Sequence, residues 1–130
     1  MTRRINDNII LTIFPHLFSL IYTFNNITYS SLILMSTLTS ILWHLDREKN
    51  KFLFFDYICA SSLFLYELNI GIEYEILQSV LYSNILLLIM NKTILILSIK
   101  KKINYIKWHS LFHLMSSLKT IFIAYSTFKF

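Results

Sequence analysis

Five apolar stretches, each roughly 16 to 24 residues long and separated by short polar connections, make up most of this 130-residue chain. They run over residues 9–24, 27–45, 52–68, 76–99 and 106–127. A helix rises ~1.5 Å per residue, so ~20 apolar residues cross the ~30 Å hydrocarbon core of a bilayer. A water-soluble domain of this length has too small a core to hide a chain that is 55% hydrophobic, with a mean hydropathy of +0.57. The stretches are also apolar nearly all round, whereas a soluble helical bundle needs polar faces at a period near 3.6. The expectation is an all-α integral membrane helical bundle of about five transmembrane helices. Residues 1–130 then form a single transmembrane domain, with no linker, repeat or low-complexity tail.

The first stretch mimics a secretory signal, with Arg3 and Arg4 ahead of an oily run. It lacks a small-residue cleavage site and carries Pro15 and His16 in its middle, so it reads as an uncleaved first span. Pro15 predicts a kinked helix, with His16 turned towards the bundle. Cys59 is the only cysteine, which excludes an intrachain disulfide and a thiolate zinc cluster. The net charge of +5 does not indicate a nucleic-acid partner, because the basic residues flank the apolar stretches. The expected partners are the lipid bilayer and a membrane lipid.

Five spans place the amino terminus, the 46–51 connection and the 100–107 connection on one side. That side carries Arg3, Arg4, Arg47, Lys49, Lys51, Lys100, Lys101, Lys102 and Lys107. The opposite side receives the Asn25–Asn26 turn, the Glu67–Glu75 connection and the carboxyl terminus, where Lys129 is the sole base. The positive-inside rule makes the basic side cytoplasmic.

Most of the chain's polar chemistry falls in one layer near that side. Ser40-Ile41-Leu42-Trp43-His44 ends the second stretch, Asp56 lies one turn into the third, and His109-Ser110-Leu111-Phe112-His113 begins the fifth. Positions i and i+4 share a helix face, so His109 and His113 can hold one ion, and Ser40 and His44 project together. Three imidazoles plus a water form the open tetrahedral arrangement of a catalytic zinc site. A nearby Asp56 can hold or deprotonate that water, and the Ser40 hydroxyl can donate to an oxygen on which charge develops. Ionisable residues in hydrocarbon are costly and mark function by default.

At these residues the chain resembles the CREST superfamily of seven-span membrane proteins, which includes alkaline ceramidases, progestin and adiponectin receptors and GPI-anchor lipid-remodelling factors. The shared pattern is SxxxH, then an Asp, then HxxxH. Within the group the chain is most similar to the GPI-anchor remodelling phospholipases, through Asp56-Tyr57-Ile58-Cys59-Ala60, Leu65-Tyr66, His109-Ser110-Leu111-Phe112-His113-Leu114 and Trp43 before the first histidine. The resemblance covers mainly residues 36–66 and 106–117. It implies a shortened version of the seven-span fold, in which loss of two spans leaves the last span entering from the same side. It further implies zinc held by His44, His109 and His113, with Asp56 and Ser40 as supporting catalytic residues. The implied reaction is cleavage of an acyl ester or amide in a lipid, a GPI or glycerolipid ester first and a ceramide amide second, in the ER or Golgi. The alternative is a non-enzymatic multi-span protein that retains a structural or vestigial metal site.

Two lysines inside apolar stretches carry separate expectations. Lys92 either snorkels to the basic side or marks an early end of its helix. Lys119 and Glu67 reach similar depths by helical rise, so they are expected to pair, with snorkelling of Lys119 as the alternative.

Overall fold

The computed structural model describes residues 7–46 and 50–128, and these are helical with no strand. Arg3, Arg4, Arg47, Lys49 and Lys129, which entered the orientation argument, lie outside the described residues. The first helical unit is broken: α1 spans Asp7–Ile13, a 3₁₀ segment spans Phe14–Ser19, and α2 spans Leu20–Thr23. Pro15 is the cause, since its ring clashes with the carbonyl four residues back and it has no N–H to donate. The remaining helices are α3 (Ile27–Leu45), α4 (Asn50–Glu73), α5 (Leu77–Ile99) and α6 (Tyr105–Phe128).

The helix ends have local causes. Asn26 caps α3 by accepting from the Tyr29 N–H at 2.9 Å, and Asn104 caps α6 by accepting from the Ile106 N–H at 3.0 Å. α4 and α5 both close in Schellman motifs. After α4, Ile76 N–H reaches the Gly71 carbonyl at 2.9 Å; after α5, Lys102 N–H reaches the Leu97 carbonyl at 2.9 Å. The left-handed positions are filled by Glu75 (φ 59°) and Lys101 (φ 55°), where glycine is usual. The chain's one glycine, Gly71, is used for close approach instead. A Cβ there would lie 3.1 Å from Leu77 Cα and 3.2 Å from Val80 Cγ2, so Gly71 lets the end of α4 rest on the start of α5.

One expectation about the stretch boundaries is revised, and one alternative is removed. α4 runs to Glu73, so the expected 67–75 connection contracts to Tyr74–Ile76. Glu67 does not end the helix, because its carboxylate is satisfied inside the protein. α5 passes through Lys92 unbroken to Ile99, and Lys92 is exposed on its surface. Among the described residues only α4 and α5 are both long and apolar enough to cross a membrane, two helices where the sequence suggested five, because polar side chains lower the mean hydropathy of α3 and α6 and Pro15 breaks the first unit.

The helices form a ring. α3 packs on α4, α4 on α5 and α5 on α6, while the first helical unit closes the gap between α6 and α3. Burial is inverted relative to a soluble fold. Of the 22 buried side chains in the described residues, 12 are polar, whereas 34 large hydrophobic side chains are exposed. The main apolar cluster of the interior is Tyr29, Ile33, Leu63, Ile70, Val80, Ile123 and Ala124, in the half of the bundle where α3 and α5 begin, while Ile9, Ile13 and Ile94 are buried outside it. The other half carries the histidines.

Candidate metal centre

His44 lies in the last turn of α3, while His109 and His113 occupy successive turns near the start of α6. The i, i+4 spacing puts the α6 pair on one face, and ring closure by the first helical unit turns that face towards His44. Chain segments 69 residues apart thereby meet, with His44 Nε2 at 3.0 Å from His113 Nε2. His113 Nε2 is 3.1 Å from His109 Nε2, and the ligand atoms of all three lie within 4.8 Å of one another. Ring centroids are 4.6 to 5.1 Å apart. His44, His113 and His109 are 4%, 8% and 9% exposed.

This geometry suits a cation better than hydrogen bonding alone. A neutral imidazole nitrogen offers either one proton or one lone pair in its plane, so His113 Nε2 can make a straight hydrogen bond to only one of its two neighbours. A metal at the centre accepts a lone pair from each ring. Metal–nitrogen bonds of ~2.1 Å in a tetrahedron set ligand nitrogens ~3.4 Å apart, within a few tenths of an ångström of the two short separations. Three nitrogens leave a fourth position for a non-protein ligand. The aromatic neighbours hold one ligand ring in place: Tyr105 stacks on His109 at 4.8 Å and 18°, and Phe112 lies on it at 5.6 Å and 23°.

The other expected site residues are placed differently. Ser40 is buried on α3 one turn before His44, on the same face. Asp56 is half-buried on α4 and accepts a hydrogen bond from Thr39 Oγ1 at 3.4 Å; it is not among the ligand atoms that converge. His16 faces α6, as the kink suggested, and lies outside the triad. Ser117 Oγ donates to the His113 carbonyl at 2.9 Å and so accepts from His16 Nδ1 at 2.8 Å, which assigns the proton to Nδ1.

Lys119 and Glu67 do pair. Around them is a buried knot that joins four helices. Glu67 Oε1 accepts from Tyr29 Oη of α3 at 3.2 Å and from Thr120 Oγ1 of α6 at 3.1 Å. Lys119 also donates to Asn84 Oδ1 of α5 at 3.2 Å, while Asn84 Nδ2 donates to the Val80 carbonyl at 2.8 Å. Sequence reasoning missed Tyr29, Asn84 and Thr120, along with Thr39 and Tyr105 at the other end. Of these, only Tyr105 carried a signal, its position four residues before His109.

Compared with protein families, curated proteins and solved structures, the chain matches none.

Proposed function

We propose that the chain is a multi-span membrane protein whose three histidines hold zinc in the service of lipid acyl ester or amide hydrolysis. The membrane part rests on the inverted burial. Soluble monomers rarely expose apolar patches beyond several hundred Å², whereas the outer faces of the helices here carry 34 exposed large hydrophobic side chains and few charges. Only 17% of the apolar window of α4, and of α5, is buried within the protein, so neither is the core helix of a soluble fold. α3 and α6 are ~28 Å and ~36 Å long, so they have the length of a span though not the hydropathy of α4 and α5, and the five-span organisation rests on that length and on their packing against α4 and α5. Lys51, Lys100, Lys101, Lys102 and Lys107 cluster at the histidine end, against Glu73 and Glu75 at the other, which favours a cytoplasmic position for the histidines.

The observation that carries the metal reading is the meeting of His44 with His109 and His113. Neutral imidazoles suit zinc, and a three-nitrogen set with one free position is the catalytic form of its site. Zinc bound there supplies Lewis-acid polarisation of a carbonyl and acidification of water. The protein's own residues do the rest. The three rings fix the ion's position, Asp56 takes and returns the proton, and Ser40 donates a hydrogen bond to the oxygen on which charge builds. The order SxxxH, Asp, HxxxH supports membership of the CREST superfamily in shortened form. A GPI or glycerolipid acyl ester is then the first choice of substrate, a ceramide amide the second, and the ER or Golgi the location.

One observation favours a second reading. Asp56 bonds Thr39 and stands outside the ligand set, as expected if the metal site is structural or vestigial in a non-enzymatic membrane protein. Zinc content and lipid release from a mixed panel, measured for wild type and His113→Ala, separate the readings. Equimolar zinc with fatty-acid release, both lost in the variant, supports the hydrolase. Zinc without release supports the non-enzymatic reading, and wild type free of zinc removes both.

A further inference from the structure

A second feature lies on the outside of the ring, away from the histidines. Two adjoining hollows of about 360 and about 480 Å³ share Thr12, Lys107 and Ser110, and together form one groove between α1 and α6. Ser110 and Leu114 each follow a histidine of the triad by one residue, so they sit about 100° round α6 from the ligands. The groove is thus not an extension of the metal site.

Its lining changes character along the helix. Asn104, Ile106 and Lys107 lie at the start of α6, Leu11, Thr12 and Ser110 follow, and Leu111 and Leu114 line the inner end, so the charged and amide groups are confined to the mouth. From Lys107 to Leu114 is ~10 Å of helical rise. Thr12 Oγ1 and Ser110 Oγ donate to the Ile9 and Ile106 carbonyls, at 2.7 Å each, which leaves Lys107 as the strong donor at the mouth. Lys107 is exposed and, among the described residues, it has no ion-pair partner and no acidic side chain lines the groove. Lys100, Lys101 and Lys102 stand in the adjoining connection, all exposed. Trp108, 41% exposed, lies at the same level, where an indole suits the boundary between headgroups and hydrocarbon.

We propose that this groove binds one anionic glycerophospholipid, with its phosphate at Lys107 and an acyl chain along Leu111 and Leu114. A cationic mouth above an apolar floor complements a lipid with a negative headgroup, and it does not complement a neutral apolar partner helix. The proposal rests on the membrane reading above but not on zinc or hydrolysis.

The test is native mass spectrometry of protein taken from vesicles of equal phosphatidylglycerol and phosphatidylcholine, with free phosphate added to a parallel sample. Wild type retains one phosphatidylglycerol per chain in preference to phosphatidylcholine. Lys107→Gln weakens retention about fivefold, the weight of one lysine near an anionic surface, and Lys101→Gln changes it much less. Leu114→Trp, which fills the floor, lowers retention without altering charge. All three substituted side chains are exposed, so folding is spared, and circular dichroism checks this. Equal retention of the two lipids, equal effects at Lys107 and Lys101, displacement by free phosphate, or a second copy of the chain in place of lipid each overturns the proposal. A chain stripped from membranes by alkaline carbonate fails the membrane reading itself, whereas an embedded chain with no headgroup preference fails this proposal alone.

Discussion

Replacing Lys119 by Met removes the positive half of an ion pair whose partner, Glu67, is completely buried. Lys119 lies nine residues before the end of α6, so its charge sits ~14 Å from that end of the helix. Breaking one side of a buried pair costs about 3 to 5 kcal/mol, because the remaining charge is left uncompensated. Here the lower end applies, since Tyr29 and Thr120 continue to donate to Glu67 Oε1. Glu67→Gln strands Lys119 instead, with Asn84 Oδ1 still accepting from it, and costs about 2 to 3 kcal/mol on the same reasoning. The double substitution leaves two neutral side chains of similar size, so its cost falls well below the sum of the singles. The expected coupling is about 2 kcal/mol, above the ~0.6 kcal/mol typical of neutral interhelical bonds in a bilayer. Unfolding of the four proteins in mixed micelles, followed by far-ultraviolet circular dichroism, measures it. Coupling below about 0.5 kcal/mol is ordinary additivity and would refute the claim that this pair braces α4 against α6.

Four further outcomes follow from other parts of the fold. His44→Ala and His109→Ala lower zinc content of the purified protein as His113→Ala does, while His16→Ala leaves it unchanged, as read by inductively coupled plasma mass spectrometry. Gly71→Val destabilises by about 2 kcal/mol through overlap with Leu77 and Val80, and Gly71→Ala by less, since a helix gain of ~1 kcal/mol offsets its smaller overlap; both are read by the same unfolding assay. Glu75→Gly and Lys101→Gly each stabilise by about 1 kcal/mol, because glycine has no Cβ to strain in the left-handed conformation; unchanged midpoints would argue against strain there. In a Cys59→Ala background, single cysteines placed at Asp46 and Lys101 react with impermeant reagent from one side of sealed vesicles and a cysteine at Glu75 from the other, and labelling of all three from one side overturns the five-span arrangement.

Helix existence and depth are local properties, and they were readable from the amino-acid order. The stretch at 27–45 coincides with α3, that at 76–99 differs from α5 by one residue at its start, and that at 106–127 differs from α6 by one residue at each end. A rise of ~1.5 Å per residue also places residues in layers, which is why His44 could be matched with His109 and His113, and Glu67 with Lys119. Only the tertiary structure decided which helices are neighbours and how each is turned about its axis. Helices that are apolar nearly all round leave rotation to packing, so no pattern in the sequence told Thr39 from Ser40 as the partner of Asp56, or named Tyr29, Asn84 and Thr120 as companions of the charge pair. The length of α4 was hidden for the same reason. A carboxylate reads as the end of an apolar stretch until donors on α3 and α6 are seen to satisfy it, and those donors come from residues 38 to 53 positions away, brought close by closure of the ring.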